Sequence, residues 1–278
     1  MKLTSIAILI VTCCLAGCTL PNSTTTGTPT PGSLNGNWQL VVGGFPVGVV
    51  FATTNGAVSG LAIMQAPVPQ YCRAGVPCGF PEVFLGGNLT GTVDESGNFT
   101  LTASSSYPST FTLTGNVSGS GLTGTFSLTA GTSTDSGTVS GTYIQPIDGT
   151  YIGVATSAIT GASLSVTAIL TQGSTPGSNG ALPLSGTVAF GGYNCFSSTT
   201  VSTGSAVLGE AYGLTLVPTN TSSSVGAEGG VSPDAKTLTF DYAVFGGGCA
   251  FDDGTGTLTR QKPPSAQTKS VCLAQIRC

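Results

Sequence analysis

From Leu34 to Arg260 apolar residues alternate with Ser and Thr in short runs, each closed by Gly, Asn, Asp or Pro. This is a period of two, and it dictates half-buried antiparallel strands, because successive side chains of a strand point to opposite faces. Phe99-Thr100-Leu101-Thr102, Phe111-Thr112-Leu113-Thr114, Phe126-Ser127-Leu128-Thr129 and Thr237-Leu238-Thr239-Phe240-Asp241-Tyr242 put large apolar groups on one face and mainly hydroxyls on the other. Asp94-Glu95-Ser96-Gly97-Asn98, Gly119-Ser120-Gly121 and Asp234-Ala235-Lys236 link such runs as tight turns. No window carries the helical period. Charged residues make up only 6% of the chain, against about a quarter in an average protein, which excludes a helical bundle or coiled coil. The fold expected is all-β: an antiparallel meander, arranged as two tandem small barrels or as one continuous barrel or sandwich.

Two stretches open alike. Leu34-Asn35-Gly36-Asn37-Trp38-Gln39-Leu40 and Ile147-Asp148-Gly149-Thr150-Tyr151-Ile152-Gly153 each place Gly, one spacer and an aromatic at the start of a strand. A boundary near Pro146 follows, giving β domains at 34–146 and 147–260 with room for roughly eight strands each. A turn-to-strand motif shared within one sheet system reads equally well. Residues 261–278, with Pro263-Pro264 near the start, form a basic tail.

The amino terminus is of a different kind. Lys2, an apolar run from Ile6 to Leu15 and small residues after it make a secretory signal, too short to span a membrane. Leu15-Ala16-Gly17-Cys18 resembles the bacterial lipobox. That resemblance implies cleavage before Cys18 and lipidation of its sulfur, with residues 1–17 removed, and similarity to Gram-negative lipoproteins, with Thr19 and not Asp after the cysteine, implies the outer membrane. Two or three acyl chains anchor durably, since each buried methylene contributes about 0.8 kcal/mol. The expected partner is therefore a membrane, reached through a tether at 18–33 that spans about 20 Å as a coil or about 50 Å in polyproline geometry.

Export to an oxidising compartment suits the remaining cysteines, Cys72, Cys78, Cys195, Cys249, Cys272 and Cys278. Pairing by neighbourhood joins Cys72 to Cys78, Cys195 to Cys249 across two strands, and Cys272 to Cys278, among the fifteen connectivities that six cysteines allow. A Cys195–Cys249 bridge would close a 55-residue loop, which the chain-entropy model values at roughly 4 kcal/mol. The five residues between Cys72 and Cys78 miss zinc spacing, and no His exists to complete a site. No metal and no cofactor is expected.

Gly36-Asn37-Trp38 also resembles the Gly-x-Trp of lipocalin-like barrels, in which the Trp plugs one end of a cup. Phe240-Asp241-Tyr242 is a fainter match to their Thr-Asp-Tyr and follows Tyr151 instead of the Trp. The resemblance implies a carrier of a small apolar ligand; the residues themselves assign Trp38 to the core as the largest anchor of the first strand.

Between Thr19 and Thr259 only Arg73 and Lys236 oppose eleven acids, a net charge of −9, while Arg260, Lys262, Lys269 and Arg277 make the end +4. An acidic body repels phosphate backbones, so no nucleic acid is expected as a partner. Without His the usual general base is missing. No Gly-x-Ser-x-Gly elbow occurs, and Lys236 falls in a turn where it is solvated. Asp135-Ser136-Gly137 and Asp252-Asp253-Gly254 read as Asp/Gly turns, and the calcium-loop spacing is absent around Asp252. Gly246-Gly247-Gly248 has no following helix to aim at a phosphate. Catalysis would need two of Glu82, Asp148, Glu210, Glu228, Asp241, Asp252 and Asp253 in one cleft. The expectation is no enzyme and no catalytic residue: an exported, lipid-anchored β-protein with a structural or interaction role at the cell envelope, or else the carrier.

Overall fold

The computed structural model describes residues 32–65, 86–104, 109–219, 223–247 and 251–262. They form two closed antiparallel barrels. Barrel 1 is an up-and-down meander of β1 (Gly36–Val42), β2 (Phe45–Thr54), β3 (Ala57–Met64), β4 (Gly86–Val93), β5 (Asn98–Ser104), β6 (Ser109–Ser118), β7 (Gly121–Ala130) and β8 (Ser133–Ile144). It closes where Trp38 of β1 pairs with Tyr143 of β8. Barrel 2 runs through β9 (Gly149–Ser157), β10 (Ser163–Gln172), β11 (Leu182–Gly191), β12 (Ser198–Val201), β13 (Ala206–Leu208), β14 (Ala211–Pro218), β15 (Ser224–Val231), β16 (Thr237–Phe245) and β17 (Asp253–Arg260). Here β12 and β13 both lie between β11 and β14, as two halves of one interrupted stave, so the barrel has eight staves and closes by β17 on β9. Hydrogen bonds from Ser202 N to Thr215 O and from Leu184 N to Ser205 O, 2.7 and 2.8 Å, stitch the break to both neighbours.

The alternation read from the sequence is what fills these barrels. Phe99, Leu101, Phe111, Leu113, Phe126 and Leu128 are buried within barrel 1, while the Thr and Ser between them lie on the outside. Eight strands leave an interior only wide enough for side chains, and inward glycines make room for the largest of them. A Cβ on Gly115 would come within 2.7 Å of the Phe99 ring, and one on Gly256 within 2.4 Å of Phe240. Large residues thus lean over small ones across each lumen. The space left inside barrel 1, bounded by residues such as Leu40, Val47, Leu89 and Phe111, is a cavity of about 30 Å3.

The two similar openings are structurally alike. Gly36 and Gly149 start β1 and β9 with φ of +109° and +116°, a conformation other residues rarely adopt. Two positions later Trp38 and Tyr151 are wholly buried. Each then ties its polar atom to a backbone carbonyl: Trp38 Nε1 donates to Leu34 O at 2.8 Å, and the Tyr151 hydroxyl to Ala235 O at 2.9 Å. A buried aromatic with an unmet donor would be costly, and both are satisfied.

One wall of barrel 1 departs from simple alternation. Asn37 and Gln39 point outward from β1, yet Asn37 is only 2% exposed, because barrel 2 covers it. Its amide grips one peptide of the β13–β14 turn from both sides, Nδ2 donating to Gly209 O at 3.0 Å and Oδ1 accepting from Gly209 N at 2.6 Å. Gln39 Oε1 accepts from Glu210 N at 2.8 Å, and Gln65 donates to Leu208 O. Val50, Ile144 and Ile147 join the core of barrel 2 beside this clamp. Gly209 is needed there, since a Cβ would lie 2.3 Å from Gln39 Oε1.

Asp135-Ser136-Gly137 is not a turn. It lies inside β8, because β7 runs on to Ala130 and pairs Leu128 with Asp135.

Candidate functional site

The end of barrel 2 remote from the Gly209 turn holds a cleft of about 570 Å3. Three connections build its walls: the β9–β10 turn with Ile159 and Thr160, the β11–β12 loop with Tyr193 and Asn194, and the residues entering β17, Phe251 and Asp252. At its polar centre the Asp252 carboxylate collects three hydroxyls. Ser157 Oγ donates to Oδ1 at 2.6 Å; the Tyr193 and Tyr242 hydroxyls donate to Oδ2 at 2.8 and 3.3 Å. Each donor comes from a different part of the chain, so the carboxylate ties β9, the β11–β12 loop and β16 together. Hydroxyls that donate to an anion resist ionising. Burial, reinforced by the charge of Asp252, pushes the Tyr242 phenol up to about 12, and the Tyr193 phenol is raised by burial and by its bond to the same carboxylate.

The rim is apolar. Ile159 is 68% and Phe251 87% exposed. Phe251 also has φ of +76°, an unusual state for an aromatic residue. Strain of this kind survives only where surrounding structure holds it, here through Phe251 N donating to Val244 O at 2.9 Å and Val244 N to Asp252 O at 2.8 Å. Reading Asp252-Asp253-Gly254 as a plain turn is therefore corrected: Asp252 is a hydrogen-bonded hub and Asp253 opens β17.

A second concavity, also about 570 Å3, is a trough on the outer wall of barrel 2 lined by Val154, Thr156, Thr239, Asp241, Thr255 and Thr257 with neighbouring glycines. Glu228 sits directly across from Asp241 in the β15–β16 register, so the two acids are surface neighbours on a sheet. The other carboxylates lie apart. Asp148 accepts from Gln172 N at 2.8 Å, and Glu210 belongs to the inter-barrel clamp through its backbone. Lys236 pairs with Asp234 at 2.8 Å in an exposed turn. Glu82 is outside the described residues. Among the described residues no group of three His, Cys, Asp or Glu is placed to hold a metal ion.

Of the cysteines singled out by sequence, Cys18, Cys72, Cys78, Cys249, Cys272 and Cys278 lie outside the described residues. Cys195 is disulfide-bonded and lines the cleft, from the β11–β12 loop instead of the strand assigned to it. Its partner falls among the residues not described. No local spacing announces the Asp252 hub, because only Tyr242 comes from the adjoining strand β16, while Ser157 and Tyr193 reach it once the barrel has closed. The clamp left a trace in the sequence: Asn37 and Gln39 are amides at outward positions of β1, where the adjoining β8 carries Thr134, Ser136, Thr138, Ser140 and Thr142.

No family model matches the chain, and no curated protein does. Among solved structures the chain is similar to a protein of unknown function from the DUF3598 family of Nostoc punctiforme PCC 73102. The likeness has 10% identity and a TM-score of 0.29, and covers 81% of this chain and 94% of that one. At that level fold and function are read from this chain itself.

Proposed function

We propose that the protein is an exported lipoprotein, anchored to the outer membrane through Cys18, that works without catalysis as a structural or interaction module of the cell envelope. One observation carries the choice between this reading and the carrier: the interior of barrel 1 retains only about 30 Å3. Small-molecule sites usually offer about 300–1,000 Å3. Barrel 2 is likewise packed from within by Tyr151, Phe190, Tyr212, Phe240 and Tyr242. With lumens occupied by side chains, recognition falls to the outer walls and the barrel ends.

The outside of barrel 1 supports this role. Every outward position described on β4 to β8 is Thr, Ser, Asn or Gly until Ile144 turns toward barrel 2, and cross-strand rows such as Thr92, Thr100, Thr114, Thr125 and Thr138 run unbroken over five strands. Closure consumes the strand edges, so this wall presents hydroxyls and methyls without inviting edge-to-edge pairing. The anchoring half is tested with Cys18→Ala, which should lose acyl label and leave the membrane fraction; a variant that stays labelled and bound refutes it. For the carrier, titrating a polarity-sensitive apolar dye should give no saturable lumenal binding, and stoichiometric uptake would restore that alternative.

A further inference from the structure

We propose that the cleft at the mouth of barrel 2 is a binding site for a small organic monocation, an alkylammonium whose charged head meets Asp252 and whose apolar body lies against Ile159, Leu164 and Phe251. The proposal goes beyond the envelope role and does not depend on the anchor.

A volume of about 570 Å3 lies within the usual range for small-molecule sites, and such sites pair mostly apolar walls with a few convergent polar groups. Asp252 is that polar group. A carboxylate has about four lone-pair directions; Oδ2 uses two on Tyr193 and Tyr242, and Oδ1 one on Ser157. Among the described residues one acceptor direction on Oδ1 is left over. All three occupants are neutral hydroxyls, which fix the carboxylate's position without cancelling its charge. Among the described residues no Lys or Arg lines the cleft and Asp252 makes no ion pair.

Other ligand classes fit less well. An anion would meet Asp252 and the acidic body with no compensating cation at the cleft among the described residues. A divalent ion requires several oxygen ligands carrying more charge than one carboxylate already held by three hydroxyls. A neutral apolar molecule would strip water from the carboxylate and leave its charge unpaired, at high cost. An alkylammonium supplies an N–H donor and a positive charge to Oδ1 and covers Ile159 and Phe251, which otherwise stand in water. Phe251, held out by its unusual backbone, also offers a ring face to a cation.

The test titrates the full-length protein, in neutral detergent with protein-free detergent as blank, with hexylammonium, 1-hexanol and hexanoate by calorimetry. Hexylammonium should saturate one site and bind at least tenfold more tightly than hexanol, with hexanoate weakest. Asp252→Asn should reduce hexylammonium affinity at least tenfold. Because that change loosens a hub and puts folding at risk, Ile159→Ser combined with Phe251→Ser is the second arm: both side chains are exposed, so the thermal midpoint should hold while affinity falls several-fold. Hexanol binding as tightly as hexylammonium, a folded Asp252→Asn with undiminished affinity, or an unchanged double variant would each overturn the proposal. The Cys18→Ala protein should bind hexylammonium normally, so failure of the anchor and failure of the site are separate results.

Discussion

Barrels 1 and 2 are built by one rule and finished by two. Inside, both seat large side chains over inward glycines, and both begin with a positive-φ glycine followed by a buried aromatic whose donor is satisfied. Outside they diverge. The β4–β8 wall of barrel 1 is a neutral field of hydroxyls, whereas barrel 2 displays Ile152, Val154 and Ile169, the facing pair Glu228 and Asp241, and a mouth organised by Asp252. The difference teaches that closure constrains inward positions and leaves outward ones open. Specific chemistry is therefore to be sought where a wall or an end departs from the Thr and Ser that a solvated strand accepts by default.

The strongest way to break the shared interior rule is to add bulk where strands cross most closely. A Cβ on Gly91 of barrel 1 would lie 1.9 Å from Thr100 O, and one on Gly229 of barrel 2 would lie 1.8 Å from Thr239 O. Gly91→Val and Gly229→Val should each cost roughly 3 kcal/mol or more, since the obstacle is backbone. Gly213→Ala, with open space around it, should change stability by no more than about 0.5 kcal/mol. Denaturant titration of the three variants checks this, and equal tolerance at all three sites would dismiss the packing rule.

A smaller effect should uncouple the barrels. Trp38 is the one tryptophan and sits in barrel 1, so its fluorescence reports that barrel alone. With the clamp intact, Trp38 fluorescence and whole-chain circular dichroism should melt together. Asn37→Ala leaves both polar groups of Gly209 unpartnered and should cost about 1–3 kcal/mol. Adding Gln39→Ala should split the two transitions; coincident curves in the double variant would mean that apolar contact, and not the clamp, couples the barrels.

The mildest perturbation is alkali. Burial raises the phenols of Tyr151 and Tyr242 to about 12 and also raises Tyr193 and Tyr212, all in barrel 2; of the phenols described in barrel 1, Tyr143 is raised. For a phenol held neutral by the fold, the unfolded chain ionises first, near its ordinary value of about 10. The folded state then binds more protons than the unfolded one, so stability is full below pH ~10 and falls as pH rises from there toward 12. In the clamp-deficient double variant, barrel 2 should open before barrel 1, with tyrosinate absorbance rising while Trp38 fluorescence is still native. The reverse order would contradict the assignment. Partial exposure of Tyr193 and Tyr242 keeps the effect modest.

Much of this architecture is legible in the sequence. Phe99 to Thr102 and Thr237 to Tyr242 announce their buried and exposed faces by period alone, and Gly36 and Gly149 mark two equivalent starts. The misread segments share a cause. Asp135 looked like a turn because its own neighbours are polar, but β7 supplies the pairing that extends β8 through it. Asp252-Asp253-Gly254 reads as a turn from its Asp and Gly alone, while the hydroxyl donors to Asp252 are 95, 59 and 10 residues away.

By itself the sequence determined the strand period, the side of each strand that faces inward, the tight turns and the preference for closed sheets, because these depend on residues within a few positions of one another. Only the tertiary structure decided that there are two barrels and not one sandwich, that their lumens are filled, that Asn37 and Gln39 clasp the Gly209 turn, and that Asp252 centres a cleft. Those outcomes rest on contacts between residues far apart in the chain, and local alternation is the same whichever distant strand is finally paired.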